Sequence, residues 1–146
     1  MRFEGRIWKD GRFWLVEIPV LDAMTQGRTK KEAYEMAADL VETLVDEKDF
    51  TVQVHPSQGD SFELSSNNPR LMLALMLKRQ RQRHGLSLAQ VARKLKASSR
   101  NSYARYEQGR AMPTVEKLAE LLSAVSDTDL VIRQSEAGQQ VEGVTD

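Results

Sequence analysis

Strand-like alternation of apolar residues gives way at Pro69 to a run of helical patterns, and that restricts this chain to an α+β organisation with its sheet toward one end. Upstream, residues 3–8 and 12–18 alternate and are rich in aromatics, and they flank Lys9-Asp10-Gly11, where an Asp-Gly pair favours a tight hairpin turn. Pro19 closes the second strand. Residues 22–25 read as a short third strand, Phe50, Val52 and Val54 alternate as a fourth, and 61–65 as a fifth after the turn at 56–60. A helix over 30–45 separates the third strand from the fourth, opened by a Thr29/Glu32 capping box. Its apolar residues Ala33, Met36, Ala37, Leu40, Val41, Leu44 and Val45 follow the helical period, while Glu32, Glu35, Asp39, Glu42 and Asp46 form an acidic stripe on another face.

Downstream only helical patterns remain: 69–84 ending at Gly85, 88–95 opened by a Ser87/Gln90 capping box, about 99–108 ending at Gly109, and 114–125. Asn68 is suited to cap the first of these, and Pro69 to its first position, where a missing N–H costs nothing. This divides the chain into a ββ(β)αβ module over 1–65, a linker at 66–69, an all-α module over 70–126 and a tail over 127–146. Ser65-Ser66-Asn67-Asn68 carries little apolar material, so the two cores and their functions are expected to separate there. In the tail, Leu130-Val131-Ile132 reads as a short strand that could add across a dimer axis, and the Gly/Gln/Glu-rich end as mobile.

The zero net charge conceals a sorting of charge along the chain. Residues 1–69 hold 8 basic and 13 acidic side chains, net −5; residues 70–125 hold 12 and 3, net +9; the tail is net −4. A strongly basic block beside an acidic one fits one polyanionic partner and one differently charged partner. There is no cysteine, which points to a reducing compartment, and the longest apolar run, residues 71–77, falls far short of the roughly 18 residues that span a bilayer. With no signal-peptide pattern at the N-terminus, the expected location is cytoplasmic and no membrane partner is expected.

Residues 86–109, LSLAQVARKLKASSRNSYARYEQG, read as two short helices about a tight turn, the unit whose second helix enters the DNA major groove. The segment resembles the helix-turn-helix of phage-repressor-like (XRE/Cro-type) regulators, whose pattern is met by Leu86, Ser87, Val91, Ala92, Leu95, Glu107 and Gly109. That resemblance places Arg100, Asn101, Ser102 and Arg105 against base edges. Their chemistry suits the role: Arg can donate two bonds to guanine, Asn can pair both ways with adenine, and Ser reads less specifically. Ser87, Lys78, Arg79, Arg81, Arg83, Arg93, Lys94, Lys96 and Arg110 are the candidates for phosphate contacts. Tyr103 and Tyr106 are expected to face the core. Leu88 stands where the family often has a phosphate-touching Gln, and Lys96 stands where it has a turn Gly.

The first module is similar to the HicB antitoxin family, on its Asp10-Gly11 hairpin and on LDAMTQGRTKKEAYEMA over residues 21–37, the entry into the helix. The resemblance implies a partial RNase-H-like fold and an antitoxin that binds and blocks a small basic mRNA-cleaving toxin (HicA-like) while repressing its operon through double-stranded operator DNA. Complementary potentials would favour such a pairing, with Glu35, Asp39 and Glu42 as candidate toxin contacts beside the alternative that they form a plain solvated face.

No catalytic residue, metal site or cofactor is expected. Glu4 and Glu17 are isolated, and no mid-strand Asp anchors a two-metal cluster. His55 and His84 fall in different modules with no cysteine beside them. A repressor whose first module senses a small ligand is the alternative function. Repressor-type modules act on half-sites about one helical turn apart, so at least a homodimer is expected.

Overall fold

A computed structural model describes residues 1–134. Five strands, β1 (Phe3–Asp10), β2 (Phe13–Ile18), β3 (Ala23–Gly27), β4 (Val52–Pro56) and β5 (Ser61–Ser66), form one antiparallel sheet in the order β3-β2-β1-β5-β4. The hairpin turns at Gly11, whose φ of 61° is the left-handed conformation such a turn requires. A 3-10 turn at Pro19–Leu21 leads into β3, which starts one residue later than the sequence pattern suggests. Phe3 and Ile7 of β1, Val16 and Ile18 of β2, Ala23 of β3 and Phe62 and Leu64 of β5 are buried, an alternation that puts one sheet face in the core.

Helix α1 (Lys30–Val45) covers that face with Ala33, Ala37 and Val41, four residues apart on one stripe. Thr29 Oγ1 accepts from Glu32 N at 3.0 Å; this is the half of the predicted capping box that forms. Gly27 is required where the helix meets β3, since a Cβ there would lie 2.4 Å from the Ala33 amide nitrogen.

The all-α part comprises α2 (Pro69–Arg83), α3 (Leu88–Lys94), α4 (Arg100–Glu107) and α5 (Val115–Val125), each within a residue or two of its expected range. Asn68 Oδ1 accepts from Leu71 N at 3.2 Å, the cap read from the sequence. The anticipated linker at 66–69 is instead a fixed corner. Ser66 ends β5 and Pro69 begins α2, while Asn67 exchanges hydrogen bonds with Thr51 and donates from Nδ2 to Asp49 O at 2.7 Å.

The two cores are joined by α2. Residues 72–77 are all buried, and six consecutive positions exceed one 3.6-residue turn, so this stretch has no solvent face. α2 packs against the Pro19–Leu21 turn, α1 and β5 as well as against α4 and α5. The buried side chains of both modules form one continuous cluster. Polar groups close the seam: Arg79 Nε donates to Leu21 O (2.8 Å), Arg79 Nη2 to Asp22 O (2.7 Å) and Gln80 Nε2 to Val20 O (2.8 Å). The separate cores expected from the sequence are therefore replaced by a shared one, because the chain joining them is apolar just beyond the polar corner.

Leu130, Val131 and Ile132 do not form a strand within the chain; they are irregular and exposed. An edge strand needs a ladder partner, and none faces them among the described residues. The Gly/Gln/Glu-rich end, 135–146, lies outside the described residues.

A shared core predicts one cooperative transition. Trp8 and Trp14 both lie in the sheet, so tryptophan fluorescence follows the first module while far-ultraviolet circular dichroism follows chiefly the helices. The two signals should melt together. Leu77→Ala, at a fully buried site, should lower stability by about 2–5 kcal/mol and shift both curves equally.

Candidate nucleic-acid interface

The interface is built from α3, the turn after it and α4. The Ser87/Gln90 capping box forms in full: Gln90 N donates to Ser87 Oγ (3.1 Å) and Ser87 N to Gln90 Oε1 (2.7 Å), which fixes where α3 starts. Val91 and Ala92 are buried under it. The chain then reverses at Lys96, whose φ of 55° is left-handed although it is not glycine. Lys96 N donates to Arg93 O (3.0 Å) and Ala97 N to Ala92 O (2.9 Å), so the turn keeps its backbone bonds despite the substitution the sequence shows there.

α4 buries Tyr103, Ala104 and Tyr106 and presents Arg100, Asn101 and Arg105 to solvent, with Ser102 half-buried. Both tyrosines face the core, as their spacing indicates. The Arg105 guanidinium lies 5.1 Å from the Tyr106 ring centroid, and its Nη2 donates to Tyr106 Oη at 3.4 Å, limiting the poses of an otherwise free cation.

One buried ion pair holds α4 to α2. Arg81 Nε donates to Glu107 Oε2 at 2.7 Å and Nη2 to Oε1 at 3.0 Å, while Nη1 donates to Leu86 O at 2.9 Å. The side chains are only 15% and 6% exposed. Glu107 raises the pKa of Arg81 through this hydrogen bond. Burial, then the nearby Glu107 carboxylate, pushes the Tyr103 phenol up, so that it stays neutral. Gly109 ends the helix at φ 69°, a left-handed conformation that favours glycine, and sits against the Leu71 side chain of α2.

The expected phosphate and base contacts differ in how free their side chains are; Lys78 and Arg83 are exposed on α2. Arg93, Lys94, Lys96, Arg100, Arg105 and Arg110 are exposed, lie on or beside the two-helix unit, and enter no salt bridge among the described residues. Ser87 is exposed at the start of α3, its hydroxyl accepting from the helix. Arg79 and Arg81 differ from the other phosphate candidates in having partners within the chain. Arg79 spends its guanidinium on two backbone carbonyls of the first module, and Arg81 is neutralised by Glu107. Gln80 was missed. It stands where Leu73 and Leu77 continue their buried stripe, and a polar residue at such a position signals a buried hydrogen bond.

On α1, Glu35 and Asp39 are exposed one turn apart, but Glu42 is half-buried and its Oε2 accepts from Val52 N at 3.2 Å. Glu42 thus supports the start of β4 and is not a free member of the acidic stripe. His55 Nε2 lies 2.7 Å from Ser65 Oγ and His84 Nδ1 lies 2.9 Å from Gln80 O, so each imidazole has its own local partner. Among the described residues, no group of His, Asp or Glu side chains is placed to hold a metal ion.

Residues 73–130 match the sequence family described as a helix-turn-helix domain. No curated protein matches the chain. The second part of this protein is accordingly a helix-turn-helix domain, the class that binds DNA in a sequence-dependent way and regulates transcription, and the exposed cations lie on the helices such domains use. No described helix is long and apolar enough to cross a membrane.

Because Arg81–Glu107 is buried, Glu107→Ala should cost about 3–5 kcal/mol by leaving Arg81 unpaired, whereas Arg81→Met/Glu107→Leu should cost much less; urea denaturation measures both. On DNA, Arg100→Ala should lose about 1–3 kcal/mol and relax one base position, whereas Arg110→Ala should weaken all sequences alike. Quantitative gel shifts against a panel of single-base operator variants separate the two patterns.

Proposed function

We propose that this protein is the antitoxin of a type II toxin–antitoxin pair, one that binds and neutralises a small basic mRNA-cleaving toxin and represses its own operon. The observation that carries the reading is the division of charge over the fold. The helix-turn-helix part is net basic, with exposed Arg93, Lys94, Lys96, Arg100, Arg105 and Arg110 on α3, α4 and the turns flanking them, whereas the sheet module, though it also exposes cations, is net acidic and exposes Glu35 and Asp39 on α1. A cationic RNA-cleaving partner is the kind of protein that an acidic module attracts and masks. The HicB resemblance of residues 3–55 points the same way.

In this reading Arg100, Asn101, Ser102 and Arg105 contact bases, and Arg93, Lys96, Arg110 and Ser87 contact phosphates. The partner sits on the sheet module, with Glu35 and Asp39 contributing to its electrostatic recognition. The protein has no catalytic role of its own and acts in the cytoplasm as a homodimer. A second reading, small-ligand control of a repressor, draws on the cleft of about 250 Å³ at the junction of the modules, lined by Pro19, Val20, Gln80, Arg83, His84 and Asp127 among others. A small molecule that shifts operator affinity without any protein partner would favour it.

Arg100→Ala/Arg105→Ala removes exposed side chains only, so the variant should fold, lose operator repression and still relieve growth arrest when co-expressed with the product of the adjacent toxin gene. Failure of the folded variant to protect cells would place toxin contacts on the helix-turn-helix domain. Failure of the wild type to protect or to co-purify with that product would remove the antitoxin reading.

A further inference from the structure

The two edges of the sheet differ in how they are finished. At the β4 edge, the strand runs into Pro56, and the Val52 amide is taken by the Glu42 carboxylate at 3.2 Å. A proline and a capped amide both hinder a further strand from adding. β3, at the other edge, has neither. Its sequence, Ala-Met-Thr-Gln-Gly, lacks charge and proline, and it pairs with β2 in unbroken register with no bulge. Its packing neighbours are β2 along the ladder and α1 on one face, and Met24 is 60% exposed.

The residues around this edge carry a symmetry of their own. Residues 22–28, Asp-Ala-Met-Thr-Gln-Gly-Arg, have opposite charges at equal distances from Thr25. When two such strands run antiparallel about a two-fold axis through Thr25, Ala23 faces Gly27 and Met24 faces Gln26, and Asp22 and Arg28, which flank the strand just outside its ladder, are brought together at each end of the pair. Asp22 and Arg28 are exposed, and neither enters a salt bridge among the described residues. The two Met24 side chains become diagonal neighbours on one face, which covers the exposed thioethers. A two-residue slip would separate both ion pairs, so the charges select the register as well as the partner.

We propose that two copies of this protein join edge to edge through β3, antiparallel about Thr25, making one continuous sheet from the two five-stranded ones. The contact is isologous, as a two-fold dimer requires, and its occupant is a second copy because the charge pattern is self-complementary. It also bears on DNA. Arg79 holds the carbonyls of Leu21 and Asp22, immediately before β3, and the same helix holds α4 through Arg81. The separation of the two recognition helices is then set by the sheet junction. The inference does not depend on the antitoxin reading.

The test is sedimentation equilibrium of the full chain, wild type against Arg28→Asp, Asp22→Lys and Asp22→Lys/Arg28→Asp, with thermal melts confirming each fold. Symmetry doubles every change, so Arg28→Asp should weaken self-association about tenfold, as two exposed ion pairs become two like-charge contacts. Asp22 has a φ of 49°, where lysine is strained, but that strain is common to the Asp22→Lys single and the double variant. The double variant should therefore associate more tightly than Asp22→Lys alone. The chain has no cysteine, so Thr25→Cys supplies a single thiol. Facing Cα atoms about 4.5–5.5 Å apart lie within disulfide range, and mild oxidation should link two chains. A monomeric wild type, or charge variants that associate like the wild type together with an unlinked Thr25→Cys protein, would overturn the proposal.

Discussion

Helix α2 is enclosed along residues 72–77, and most of the remaining architecture follows from supplying it with two apolar surroundings at once. Each of its larger buried side chains is worth about 1.5–3 kcal/mol of transfer from water, and neither the sheet with α1 nor the pair α4 and α5 could cover all of them alone. Both modules must therefore close on the same helix. That requirement turns the Asn67–Asn68 corner into a fixed junction. It also brings Arg79 and Gln80 against the backbone carbonyls of Val20 and Leu21, which would otherwise be half-buried or buried acceptors without partners, and Arg79 against that of the exposed Asp22.

The same helix orients the DNA-facing elements. Two residues beyond Arg79, Arg81 reaches the other way to Glu107 and the Leu86 carbonyl, fixing α4 and the entrance to α3 relative to the sheet. Arginines clustered in sequence are thus divided in space by the helical period: one clamps the first module, one is neutralised within the second, and Arg83 lies exposed at the helix end. What remains on the surface of α3, α4 and their turns is a set of cations without internal partners. Such charges cost little to leave solvated and are available to phosphates and base edges.

Much of the candidate site was legible in the sequence because it depends on local signals. The Ser87/Gln90 box sets the start of α3, the tyrosine spacing in α4 selects its buried face, and the exposed Arg100, Asn101 and Arg105 follow by exclusion. The partners that Arg79, Arg81 and Glu42 find within the chain were not legible, for one shared reason. A basic or acidic side chain looks the same in sequence whether it ends in water or on a partner within the fold, and only packing supplies that partner: carbonyls 57 and 58 residues away for Arg79, a carboxylate 26 away for Arg81 and a backbone N–H 10 away for Glu42.

Sequence alone determined the order and kind of the elements, the hairpin turn, the helix caps and the division of charge between the two parts, because each rests on residues within a few positions of one another or on simple counting. Tertiary structure decided that β5 inserts between β1 and β4, that the two cores merge on α2, and that Leu130, Val131 and Ile132 make no strand within the chain. Those outcomes turn on which distant surfaces bury one another and which backbone groups find a partner. The apolar run that joins the modules has a length and composition equally compatible with the core of one module or with a seam between two. Only the presence of a complementary surface on each side of the helix made it the seam.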